Sequence, residues 1–167
     1  MKRTILLFLL SLTTIVVAQE SKETENIVKN NELKLNAGYL LAGGFFETSY
    51  ERILNEESAI GLSLGYAFDK SIDYEFSVVP YYRLYFGKKR AAGFFMEANG
   101  AFYSEESEDN NDMNEIGLGV GFSIGGKFIT KSGWIFELLG GGGRNFINKD
   151  KITEAYARIG LIIGKRF

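Results

Sequence analysis

The sequence contains no cysteine and no histidine, and its single proline is Pro80. Without cysteine there are no disulfides, and lipidation of an N-terminal Cys is excluded. Without histidine, a Ser–His or His–carboxylate catalytic arrangement is excluded by composition. An excess of either charge is also missing, with 19 basic residues against 21 acidic ones. That balance argues against a basic nucleic-acid surface. After residue 18 no stretch has the length and apolarity of a membrane helix.

The first 18 residues carry the pattern of an export signal. Lys2 and Arg3 form the positive start, residues 5–17 are mostly apolar, and Val16 and Ala18 supply small residues before the expected cut. Cleavage there leaves 149 residues with 17 basic and 21 acidic groups, a formal charge of −4. Residues 19–31 are polar and charged and form an expected leader without a core of its own.

From residue 32 to residue 167 apolar and polar residues alternate with the period of a strand. This pattern gives eight segments: 32–41, 45–54, 58–68, 72–86, 93–103, 116–129, 133–143 and 153–167. In the sixth, Ile116, Leu118, Val120, Phe122 and Ile124 share one face, while Gly117, Gly119, Gly121, Ser123, Gly125 and Lys127 share the other. The apolar faces are long, nearly free of charge and rich in large residues. The opposite faces are rich in glycine, serine and alanine, which suits a crowded narrow lumen better than a solvated surface. The expected fold is all-β: an eight-stranded antiparallel transmembrane β-barrel spanning 32–167. The expected location is a Gram-negative outer membrane, with both mature termini periplasmic. Short turns at 55–58, 87–91 and 130–133 fall on the periplasmic side, and longer loops at 104–115 and 145–152 face outward. Pro80 removes one ladder hydrogen bond and suggests a bulge.

Strand parity then assigns the charges. Lys34, Glu47, Glu51, Asp73, Glu75, Arg83, Glu97, Lys127, Glu137, Glu154 and Arg158 are expected in the lumen, four basic and seven acidic. Buried charges must be paired, so the set reads as a structural ion-pair plug. The alternative is a narrow cation-preferring channel. Tyr74, Tyr82, Phe86, Phe94, Phe102, Trp134 and Phe167 are expected at the membrane interfaces. The acidic loop at 105–112 is a candidate for calcium or for divalent ions bridging lipopolysaccharide phosphates, but it lacks the ordered ligand spacing of an EF-hand and reads first as solvated surface. Glycines 140–143 are followed by neither Lys–Ser/Thr nor a helix pattern, so no phosphate loop is expected. No catalytic residues, cofactor or metal are expected, and the protein is not expected to be an enzyme.

By strand count, alternation, turn asymmetry and the terminal Phe167, the chain resembles the small outer-membrane barrels of the OmpX and OmpA-transmembrane-domain class. The stretches NELKLNAGYLLAGGFFETSYERIL and AIGLSLGYAF are similar to an uncharacterised family of outer-membrane proteins in Bacteroidota. That resemblance implies a barrel with no established activity. The terminal aromatic resembles the signal read by the barrel-assembly machinery, although Lys165 stands where a second aromatic is usual. The implied surroundings are outer-membrane lipid and lipopolysaccharide. The expected role is structural or interactive, as an envelope component or an accessory subunit of a larger outer-membrane complex. A surface ligand- or lipopolysaccharide-binding role is a further alternative.

Overall fold

The computed structural model describes residues 29–69, 72, 74–107 and 114–167. The expected export signal and most of the polar leader lie outside the described residues. So do Asp73 and the centre of the acidic loop, 108–113. The described elements are β1 (Asn31–Asn36), α1 (Ala37–Ala42), β2 (Phe45–Ile53), β3 (Ser58–Ala67), β4 (Tyr74–Phe86), β5 (Gly93–Glu106), β6 (Asn114–Ile129), β7 (Trp134–Asn145) and β8 (Ala155–Arg166). The eight strands close into one antiparallel barrel in sequence order, with β1 pairing with both β2 and β8.

Alternation is the cause of closure in this form. On β6, Leu118, Val120, Phe122 and Ile124 point outward, while Gly117, Gly119, Ser123 and Lys127 are buried. Register fixes the stagger. From Glu32 the partners run Glu51, Gly61, Tyr81, Asn99, Gly121, Gly143 and Tyr156. Tyr156 lies six residues before Ile162, the partner of Asn36. The circuit therefore closes opposite position 42, a stagger of ten residues from Glu32. All eight residues of this circuit face inward, and each tyrosine among them has a glycine beside it. A Cβ at Gly61 would overlap the Tyr81 ring, and one at Gly143 would overlap Tyr156. Interior glycines on β3, β6 and β7 thus leave room for the rings of neighbouring strands.

The first strand is shorter than its alternation predicts. It stops at Asn36, and residues 37–42 form α1. AGYLLA has no period of two, and Ala and Leu are good helix formers. Asn36 makes the transition: its Nδ2 donates to the Ile159 carbonyl at 3.0 Å, and its Oδ1 accepts from the Leu161 N–H at 3.3 Å. The side chain stands in for a peptide and carries the β1–β8 ladder one step further. Gly43 and Gly44 then return the chain to β2 with φ of +90° and +93°, a region open mainly to glycine.

Two other boundaries differ. The β5–β6 hairpin extends to Glu106 and Asn114, because the acidic residues continue the ladder (Glu105 opposite Glu115). The register irregularity in β4 falls between Tyr74 and Phe76 and not at Pro80. At Pro80 the β4–β5 pairing is interrupted between Val78↔Phe102 and Tyr81↔Asn99, with no change of register.

Both ends of the interior are closed by side chains. At the end carrying residue 31 and Phe167, the 87–92 turn folds beneath the barrel. Ala91 and Ala92 are buried, and Arg166 donates to the Arg90 and Ala91 carbonyls at 3.0 and 2.9 Å. At the other end, Ile152 from the β7–β8 loop packs on Val79, Ala101, Tyr103 and Tyr156.

Candidate functional site

Between these two apolar ends sits a connected ion-pair network. Glu51 on β2 is its centre. It accepts from Lys34 at 2.6 Å, Lys127 at 2.6 Å, Arg83 at 3.0 Å, Tyr85 at 2.7 Å and Tyr81 at 3.2 Å. Arg83 also donates to Glu97 at 2.7 Å and Glu137 at 2.8 Å. Lys127 reaches Glu32 at 2.7 Å, and Arg166 reaches Glu32 at 2.6 Å. Towards the loop end, Arg158 donates to Glu97 at 2.6 Å and lies 3.6 Å from Glu47. Arg83 lies over the rings of Tyr81 and Phe95, 4.6 and 4.3 Å from their centroids.

The network balances. Glu32, Glu47, Glu51, Glu97 and Glu137 are matched by Lys34, Arg83, Lys127, Arg158 and Arg166, five against five. An isolated buried charge costs several kcal/mol even after relaxation. Charge balance with multiple hydrogen bonds per group is what makes this interior tolerable. Carboxylate oxygens of Glu32, Glu51 and Glu137 lie within 4.8 Å of one another. The positive charge among them is already supplied by the ammonium groups of Lys34 and Lys127. The arrangement is suited to closing a lumen and cross-bracing its strands.

The structure brings together eight of the eleven charges expected in the lumen: Lys34, Glu47, Glu51, Arg83, Glu97, Lys127, Glu137 and Arg158. Asp73 lies outside the described residues. Glu75 and Glu154 do not join them. The irregularity between Tyr74 and Phe76 shifts the phase of β4 by one residue. Tyr74 therefore turns inward onto Tyr103, with ring centroids 5.3 Å apart, and Glu75 turns outward to accept from Asn114 at 2.8 Å. Tyr74 is accordingly an interior residue and not an interface aromatic. Glu154 precedes β8 and pairs with the exposed Arg144 at 3.4 Å. Two further charges in the network, Glu32 and Arg166, were not in the expected set. Each stands two residues from an interior position (Lys34 and Gly164), so the alternation itself placed both on the lumen face. With them the expected acidic excess disappears.

Tyr82, Phe86, Phe94, Phe102, Trp134 and Phe167 all lie on the outward wall. Phe86 and Phe94 pair at 6.0 Å, and Lys165 lies over the Trp134 ring at 5.0 Å.

No protein-family profile matches the chain, and no curated protein matches it. Among solved structures the chain is similar to the N-terminal β-barrel domain of Pseudomonas aeruginosa OprF. The match has 15% sequence identity and a TM-score of 0.58, and it covers 83% of this chain and 98% of that domain. At this identity the likeness carries the fold: a small, closed, eight-stranded barrel of the outer-membrane type.

Proposed function

We propose that this protein is an integral outer-membrane barrel with a structural or interaction role, acting as an envelope component or an accessory subunit of a larger outer-membrane complex. The observation that carries this reading is the inversion of polarity across the wall. Charge and hydrogen bonding are gathered inside in a balanced network. The outside presents Leu118, Val120, Phe122, Ile124, Leu138 and Leu161 at half exposure or thereabouts. A continuous apolar wall of this kind suits hydrocarbon and not water.

On this reading the short turns and both ends of the barrel chain face the periplasm, and the outward aromatics sit at the two interfaces. Outer-membrane lipid and lipopolysaccharide surround the wall, and the barrel-assembly machinery inserts the chain. Catalysis, cofactors and nucleic acid have no part in the role. The closed, neutral interior supports a plugged lumen over a cation path. It leaves the surfaces as the means of action.

The test is fractionation of the full chain expressed in a Gram-negative host, followed by gentle extraction and native mass. Recovery in the outer membrane with heat-modifiable gel mobility is expected. A soluble or inner-membrane protein with unshifted mobility overturns the reading. A native mass above one barrel, with companions at fixed stoichiometry, assigns the subunit role. A lone barrel assigns the envelope role.

A further inference from the structure

The barrel wall has one place where a strand is replaced by a helix. β1 pairs with β8 only from Ile162 to Arg166, so β8 from Ala155 to Leu161 has no β1 residue opposite it. α1 lies beside that edge. The Asn36 side chain satisfies one step of it. Tyr39 meets Phe45 of β2 edge-on at 5.5 Å.

Behind α1 lies a cavity of about 290 Å³. Its lining is mostly apolar and includes Phe45, Val79, Ala101 and Tyr103 from the interior and Tyr39 from α1. It also includes Ala157 and Ile159, whose side chains are on the outward face of β8. The cavity therefore reaches the β8 edge that α1 flanks. Its floor is the Arg158–Glu47 pair, part of the ion-pair network. Beside it, the Tyr103 hydroxyl is buried and has no hydrogen-bond partner among the described residues. Tyr103 itself is 2% exposed. Buried hydroxyls are nearly always paired, and among the described residues this donor has no acceptor, which leaves it available to a ligand in the cavity that Tyr103 lines.

We propose that this cavity binds a single aliphatic chain bearing a hydrogen-bond acceptor, a fatty-acid or acyl-ester group, admitted sideways from the bilayer through the gap between β8 and α1. The size fits: a dry cavity of roughly 150 Å³ accepts a benzene, and small-ligand pockets begin near 300 Å³. The chemistry fits as well. Apolar walls take the chain, and the Tyr103 hydroxyl donates to its carbonyl or carboxylate oxygen. The proposal rests on the membrane placement of the barrel. The same chemistry is available from a free fatty acid or from the acyl chain of a bilayer lipid.

The test uses the full chain in phosphatidylcholine nanodiscs, with heat-modifiable mobility confirmed first. A chain that fails that check counts against the membrane reading, and binding is scored on folded barrels only. Decanoate binding is measured against empty nanodiscs. Saturable binding at one per barrel is expected. Tyr103→Phe removes one neutral hydrogen bond and is expected to weaken binding about three- to tenfold, with heat-modifiable mobility retained. Ala101→Phe fills the cavity and is expected to abolish binding. Ala157→Trp obstructs the gap from outside and is expected to slow or weaken it. In a second arm, the Ala101 methyl resonance is followed in nanodiscs containing chain-labelled doxyl phosphatidylcholine. Broadening that decanoate reverses assigns the bilayer lipid as a source. Decanoate binding without broadening assigns the free acid. The proposal is overturned by no binding beyond partition into the bilayer, or by binding indifferent to Tyr103→Phe and Ala157→Trp.

Discussion

Replacing Glu51 with alanine is expected to lower the unfolding stability of the barrel by about 3–5 kcal/mol, the range for breaking a buried ion pair by removing one partner. Glu51 receives hydrogen bonds from five side chains on three strands. Its loss leaves four carboxylates for five cations, in an interior that water does not reach. Lys34 and Arg83 keep Glu137, and Lys127 keeps Glu32 and Glu137, so the network loosens without disappearing. Glu51→Gln retains an acceptor and drops only the charge, so a smaller loss is expected. The measurement is the urea midpoint of heat-modifiable mobility in lipid vesicles. A change below about 1 kcal/mol, the value of a solvated surface pair, would mean that the lumen is open to water.

Leu138→Arg is the second large effect. Leu138 lies mid-strand on the outward face of β7, 59% exposed, between Gly126 of β6 and Leu161 of β8. On a water-soluble barrel such an exposed position tolerates arginine, with changes within about 0.5 kcal/mol. On the lipid face near the bilayer midplane the same change costs about 2–4 kcal/mol. Folding of the variant into vesicles, compared with the parent chain by urea titration, reads the difference. A neutral result would place that wall in water and remove the membrane reading.

Much of the fold was legible because the barrel rests on one physical rule, period-two alternation. Where alternation is unbroken, as in β3, β6 and β8, strand bounds and facing came out of the sequence within a residue or two. Where it breaks, the reading failed for local reasons. Ala37–Ala42 lacks alternation and becomes a helix, because Asn36 takes over the ladder and Gly43 and Gly44 supply the return. One irregularity in β4 exchanges the faces of Tyr74 and Glu75, and alternation alone does not show which residue carries it. The charge network was largely legible, and alternation puts Glu32 and Arg166 on the same face, although the expected lumen set did not include them. Their inclusion changes the chemistry from an acidic lumen to a neutral one. The cavity behind α1 was not legible. It arises from the stagger of the whole barrel and the shortness of β1, and no segment holds that information alone.

The same neutrality points to the measurement that bears most directly on the closed barrel. The full chain, inserted in planar bilayers with its folded mobility confirmed, is recorded under voltage in symmetrical salt. A flat record is expected, because the ends are packed with Ala91, Ile152 and their neighbours and the centre holds five cations against five anions. Stable cation-selective steps that change with Arg83→Ala would contradict it.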